Sequence, residues 1–308
     1  MLKRKIPAIG LALVTGLVLI AAGCGDDDDD SGDSGTVEAV EGPTITIRGQ
    51  DFSESETIAE VYSQFLDAKG YDVELLTPAG FRTEAVAGIE NGDLDLIVDY
   101  IGGSATELAP DEDTSSDPDE VIEIIEPAYE EIGATVLEYS PAIDGDALVV
   151  RGDADAETIS DLKGQDFNFG ASAQCYERPQ CFVGYTDPEI YGIEFGDETT
   201  IEFGPLLGEA LAADEVDAVV WNTTAPQIEQ NGFKILEDDM GLHPAQNIAP
   251  IINSETLAAY GDGLQEDLNE LSAAIETDDL VAWNTETDIE LRESDEVATE
   301  WLEAEGLS

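Results

Sequence analysis

The chain has 308 residues, 42% of them hydrophobic, and carries 71 acidic against 11 basic side chains, a formal net charge of −60. Such a surface repels nucleic acid and anionic lipid and argues against any phosphate-binding role. With three cysteines and one histidine, His243, it is also a poor candidate for zinc chemistry, and no metal or cofactor is expected. Because the acids are spread along the whole chain, they read as a solvation adaptation to high salt, where screening suppresses self-repulsion, and not as a local lure for cations. A saline or soda habitat follows.

The first five residues, MLKRK, are basic, and Ile6 to Ile20 is a short apolar run. It is too short to read as a lasting membrane span and reads as a secretory signal. Ala21-Ala22-Gly23-Cys24 looks like a bacterial lipobox, which predicts a signal peptide over 1–23 and lipidation at Cys24. Five aspartates follow in DDDDDSGDSG, and like-charge repulsion with Gly/Ser content predicts a disordered tether over 24–42. About 265 residues remain for folding, enough for one large domain or two lobes.

From Thr44 onward, short β-rich runs alternate with helical ones. TITIR (44–48) reads as a strand, and SESETIAEVYSQFLDAKG (53–70) as a helix with Ser53 as N-cap and Glu56 closing a capping box. YDVELL is a strand, RTEAVAGIENGD a helix ending at Asn91-Gly92, and LDLIVDY a buried strand. This βαβαβ order predicts a mainly parallel sheet with helices on both faces. An acidic loop (110–120), a helix over about 119–132 and the strand ATVLEY follow. DALVVRGDAD (146–155) then opens a second α/β set that runs to QIEQNGFKILED, and NIAPIIN (247–253) returns from it. Two sets joined by two crossings predict two lobes with a double hinge: 43–147 plus 249–308, and 148–248. The helical tail from Ser254 should pack back on the first lobe. Cys175 and Cys181, in AQCYERPQCF, have a turn-forming Arg-Pro between them and are expected to close a small disulfide loop in an exported protein, with a metal site as the rival.

Several segments together resemble the substrate-binding proteins of ABC importers for osmoprotectants, the glycine betaine, choline and proline betaine group. ITIRGQDFSESETIAEVYSQFLDAKGYDVEL is similar to the family's opening strand, ligand loop and first helix, and GIENGDLDLIVDYIGGS to its helix end, strand and following loop. TISDLKG is similar to its entry into the second lobe, and ALAADEVDAVVWNTTAPQIEQNGFKILEDDMGLHPAQNIAPIIN to the exit and return. The likeness spans roughly residues 44 to 305, and its strength lies in order and spacing, since each motif alone is weak. It implies a periplasmic-binding-protein fold of the Venus-flytrap kind, two α/β lobes that close on a ligand and dock on a membrane permease served by a cytoplasmic ATPase. It implies a monomeric, lipid-anchored receptor on the outer face of the cell membrane, with no enzymatic activity.

Ligands of this family carry a quaternary ammonium head, which cannot donate a hydrogen bond and needs aromatic faces or carboxylates around it. By position the resemblance points to Asp51 and Phe52 in the first loop, Tyr100 after the third strand, and Trp221, Asn222, Thr223 and Thr224 in the second lobe. Donors for a ligand carboxylate would come from Phe81, Arg82 and Thr83, the threonines, or Gln246 and Asn247. Phe52 and Trp221 could equally be core residues, whereas Tyr100 opens a Gly-Gly loop at a strand's C-terminal end, where open α/β sheets bind ligands. Where relatives carry Asn-Thr-Tyr before the crossing, this chain has Asp144-Gly145-Asp146, so one cage tyrosine is missing and an aspartate could face the cation instead. The competing readings are the same fold holding another polar or aromatic solute, such as an amino acid or polyphenol, or a sensing or envelope interaction protein. No G-x-S-x-G, H-E-x-x-H or P-loop supports an enzyme, and His243 reads as a loop or hinge residue.

Overall fold

The computed structural model describes residues 39–112 and 114–308. The expected signal peptide, Cys24 and the tether up to residue 38 lie outside the described residues. At the tether's end, the Val40 N–H already donates to the Gly70 carbonyl at 2.8 Å, which fastens the chain to the folded body.

The first α/β set runs β1 (Ile45–Ile47), α1 (Ser53–Ala68), β2 (Val73–Leu75), α2 (Arg82–Asn91), β3 (Leu96–Tyr100), α3 (Ile101–Leu108), α4 (Pro118–Glu131) and β4 (Ala134–Val136). The second set holds β5 (Asp146–Arg151), β6 (Phe169–Ala171), α5 (Gly184–Thr186), β7 (Glu198–Thr200), α6 (Pro205–Ala212), β8 (Ala218–Asn222), α7 (Pro226–Gln230) and β9 (Phe233–Ile235). β10 (Ile248–Asn253) then returns, followed by α8 (Ser254–Tyr260), α9 (Asp262–Ala274), α10 (Thr277–Asn284) and α11 (Ser294–Glu305).

Two five-stranded sheets result, ordered β2-β1-β3-β10-β4 and β7-β6-β8-β5-β9. β1 pairs in parallel with β2 and β3, and β6 in parallel with β7 and β8, while the crossing strands β10 and β5 run antiparallel to their neighbours. Each sheet is covered on both faces, because side chains alternate along its strands. Leu148 and Val150 of β5 enter one apolar cluster, and Ala147 and Val149 enter another. β3 is buried at all five positions, with Asp99 as the one charged side chain among Leu96, Ile97, Val98 and Tyr100. The C-terminal helices pack on the first sheet: Leu264, Leu268, Trp283, Val297 and Leu302 share a cluster with Ile45, Tyr62 and Phe65. The crossing segments 137–145 and 236–247 lie side by side, bridged at Ile143 and Asn247.

One local expectation differs. Ser53 is the first helical residue of α1 and Phe52 the N-cap, because the turn from Gln50 to Phe52 places the extended residue one position earlier. The Ser53 hydroxyl donates instead to Asp288 Oδ1 at 2.5 Å, tying α1 to the C-terminal segment. Cys175 and Cys181 are joined by a disulfide, their Cα atoms 5.3 Å apart.

Candidate functional site

The C-terminal edges of the parallel strands in both sheets face one cleft. After β1, the chain turns at Gly49, where a Cβ would sit 2.7 Å from the Ser55 carbonyl, so only glycine lets the strand pass so close to the first turn of α1. That turn buries Glu54, which is 3% exposed. Tyr100, at the end of β3, donates its hydroxyl to Glu54 Oε1 at 2.6 Å, and Asn284 at the end of α10 donates Nδ2 to Oε2 at 2.5 Å. Burial pushes the Glu54 carboxyl up to about 8, the charge of Asp144 adds to the rise, and the hydrogen bonds only partly offset it.

The second wall comes from the hinge and the β8 end. Asp144 accepts from Asn222 Nδ2 at 3.0 and 3.1 Å and from Thr224 Oγ1 at 3.0 Å. Burial raises its carboxyl as well, against the lowering effect of those bonds. Asn284 Nδ2 also reaches the Thr224 carbonyl at 3.3 Å, so α10 touches both the Glu54 network and the start of the β8–α7 turn. A cavity of about 570 Å³ opens here, with Phe52, Glu54 and Asn284 on one side and Asp144, Trp221, Asn222, Thr224 and Phe203 on the other. An adjoining cavity of about 660 Å³ on the second sheet's edge shares Asn222 and Phe203 and is lined by Ser172, Gln174, Asp146 and Arg178, the last two forming an ion pair.

Of the residues expected from sequence, Phe52, Asp144, Trp221, Asn222 and Thr224 line the first cavity, and Asp146 the second. Tyr100 stands behind Glu54, its ring centroid 6.0 Å from that of Phe52. Trp221 is largely a core residue: its indole tip packs on Gly208, where a Cβ would come within 2.8 Å of it. Arg82 is occupied elsewhere. Its guanidinium grips the buried Asp99 at 2.8–3.1 Å and lies close over Gly103, where a Cβ would come 2.4 Å from Arg82 Nη2. Phe81 and Thr83 are exposed at the start of α2, and Asp51 is exposed in its loop; none of the three lines either cavity. Thr223 bonds Gly145 reciprocally across the hinge, Gln246 Oε1 accepts from the Gly103 N–H at 3.0 Å, and Asn247 Nδ2 donates to the Ser140 carbonyl at 2.9 Å. These three shape the hinge. His243 sits away from both cavities, 2.6 Å from the Tyr185 hydroxyl and 3.2 Å from Asp238.

Sequence reading missed Glu54, Asn284, Phe203 and Arg178. Glu54 was one acid among 71, and Asn284 reaches the site from 230 residues away. The unusual feature of "DFSESE", an acid in the first turn directly after the ligand loop, was the available signal.

Residues 43–304 match the family described as the substrate binding domain of ABC-type glycine betaine transport system. A carnitine transport binding protein from Listeria monocytogenes is 23% identical over 267 residues, covering 84% of this chain and 86% of that protein. A glycine-betaine-binding protein from Pseudomonas aeruginosa is 24% identical over 281 residues, covering 84% and 87%. A crystal structure described as a glycine betaine/carnitine/choline ABC transporter superposes with a TM-score of 0.77 at 23% identity, over 85% of this chain and 99% of that one. Apo YehZ from Escherichia coli superposes at 0.74 with 20% identity, over 86% and 99%. The architecture is therefore that of a periplasmic binding protein.

Proposed function

This chain belongs to the family of substrate-binding domains of ABC-type glycine betaine transport systems, and we propose that its cleft captures a small, positively charged or zwitterionic compatible solute for delivery to the permease. Glycine betaine, choline and proline betaine are the first solutes to consider, and carnitine joins them from the relatives' names. The family is one of extracytoplasmic transporter receptors, not of enzymes. The observation that carries the reading is the pair of carboxyls, buried Glu54 and half-buried Asp144, in a cavity that none of the described Lys, Arg or His residues lines and that Phe52 and Phe203 flank. A cation there meets carboxyls on both walls, whose ionised forms it favours, and ring faces beside it, so it favours the closed arrangement of the lobes. The ligand-binding set is Phe52, Glu54, Tyr100, Asp144, Asn222, Thr224 and Asn284, with Asp146 and Arg178 in the adjoining cavity.

The receptor is held to the outer face of the membrane by lipid on Cys24 and acts as a monomer. Among the described residues no helix is long and apolar enough to cross a membrane. Support for the anchor is the Ala-Ala-Gly-Cys stretch after the apolar run. A thermal-shift and calorimetric screen in high salt tests the ligand class: betaine, choline, proline betaine and carnitine against neutral amino acids and polyphenols. A raised melting temperature with the cationic group alone supports the reading. A response confined to amino acids or polyphenols refutes it and leaves the fold untouched.

A further inference from the structure

Arg178 is the one cationic side chain among the described residues that line either cavity, and it is already engaged. Five carboxyl groups line the same two cavities: Glu54, Asp144 and Asp288 in the first, Asp146 and Glu202 in the second. Arg178 donates through Nη2 to Asp146. Both partners are set by the backbone. Arg178 sits inside the loop closed by Cys175 and Cys181, where its N–H donates to the Cys175 carbonyl at 3.2 Å and its carbonyl accepts from the Cys181 N–H at 3.2 Å. Asp146 opens β5 directly opposite Asn222 of β8, so the two side chains leave the sheet on one face, and both line the second cavity.

A ligand that carries a carboxylate gains little from such a guanidinium. Displacing Asp146 exchanges one carboxylate partner for another and leaves Asp146 without its counter-ion. Sharing the guanidinium, which has donors to spare, sets two carboxylates side by side, where they repel. With Arg178 44% exposed and Asp146 28%, the pair adds little to folding stability. Its effect is on which charge the cavity tolerates, since an unpaired or repelled group discriminates against the ligand that creates it. A neutral tail incurs neither penalty, and Ser172, Gln174 and Thr200 offer it hydroxyl and amide groups along the same wall.

We propose that Asp146, by engaging Arg178, sets the charge of the ligand: the receptor selects an organic cation with a neutral hydroxyl, ester or amide tail over the zwitterion built on the same head. The assignment rests on the receptor reading above and narrows the ligand class of that same site. The cationic head lies in the cavity of Glu54 and Asp144, and the tail extends past Asn222, which lines both cavities, toward Ser172 and Gln174.

The test is titration calorimetry of the mature protein at one fixed sodium chloride concentration, with two pairs that share a head and differ in the charge of the tail: choline and glycine betaine, carnitine methyl ester and carnitine. The expected result is that the neutral-tailed member binds at least tenfold tighter in one pair or both, about 1.4 kcal/mol. Asp146→Asn, which frees Arg178 and keeps the shape, should tighten the zwitterion and reduce the preference to less than threefold. Should this variant fail to fold, Asp146→Ser gives the same reading. Adding Arg178→Gln to either variant should cancel the gain in zwitterion affinity. A preference below tenfold in both pairs overturns the inference and leaves the receptor reading standing. A preference that stays above threefold in the Asp146 variants overturns the assignment to this residue, and a zwitterion gain that survives Arg178→Gln overturns the part given to Arg178. Absence of binding by all four compounds overturns the inference and the receptor reading together.

Discussion

Two buried carboxylate clusters in the first α/β set invite comparison, because they are equally secluded and differently neutralised. Asp99 is 1% exposed and receives the Arg82 guanidinium, the Gln50 side-chain amide at 2.7 Å and the Ser104 hydroxyl at 2.7 Å. Glu54 is 3% exposed and receives only neutral donors, Tyr100 and Asn284, with a second carboxylate, Asp144, close enough to raise it further. The first cluster contains its own counter-ion and braces β3 against α2 and α3. The second lacks one. A buried carboxyl without a counter-ion holds its proton instead of its charge, and its place at a cleft is what a cation arriving from solution could change.

The strongest way to break this contrast is Glu54→Gln, which keeps the shape and removes the charge. Above about pH 8, where Glu54 is ionised, affinity for a cationic solute should fall by about 2–5 kcal/mol, the range for removing one partner of a buried charge pair, as read by calorimetry. Unchanged affinity would erase the distinction between the clusters. The same variant separates the pH behaviour. Between pH 4.5 and about 8 the folded protein retains a proton on Glu54 that the unfolded chain has released, so unliganded stability should decline as pH rises through that window. A bound cation favours the ionised carboxylate, so affinity for a permanently charged solute should increase with pH over the same range. The groups facing Glu54 are Tyr100, Asn284, Thr224 and Asp144, and the difference between wild type and Glu54→Gln isolates the one carboxyl from them. Parallel curves for the two proteins would show that Glu54 holds no such proton.

Asp99→Asn probes the other side. It leaves the guanidinium of Arg82 without its counter-ion, and because Arg82 is 27% exposed the loss should be about 2–3 kcal/mol, below the range for a wholly buried pair. Urea denaturation measures it, while ligand affinity should stay near wild type; a large affinity loss would make Asp99 part of the binding site after all. Next in size, replacing Cys175 and Cys181 by serine opens a loop with a separation of 6 residues and should cost about 2 kcal/mol by chain entropy. That change tests whether Arg178, carried inside the loop, needs it: affinity should drop only for solutes long enough to reach the adjoining cavity. Smallest is Phe52→Leu, expected to weaken binding by about 0.5–1 kcal/mol, the size of an exposed cation–π contact. A loss as large as that of Glu54→Gln would mean that rings, not carboxylates, dominate recognition.

Much of the architecture was legible in the chain. Mainly apolar runs such as LIVDY and AVVWN are buried strands, the βαβαβ order gives parallel pairing, and the return at NIAPIIN enters the first sheet between β3 and β4. The site was legible in part. Phe52, Asp144, Asn222 and Thr224, expected from the resemblance at strand ends and in the crossing, line the first cavity. Arg82 could not be assigned from sequence, since its partner Asp99 stands 17 residues away at the end of β3 and only the fold brings the two together. Glu54 was hidden by composition: in a chain this acidic, one carboxylate carries no information until its burial is known.

Local chemistry and periodicity therefore determined the two α/β sets, their crossings and the strand ends that bear a site, because apolar spacing and turn residues act over a few positions. Tertiary structure alone decided which buried carboxyls are paired with a cationic side chain and which are not. Burial and counter-ion pairing arise between residues as distant as Glu54 and Asn284, and no short stretch of sequence records that distance.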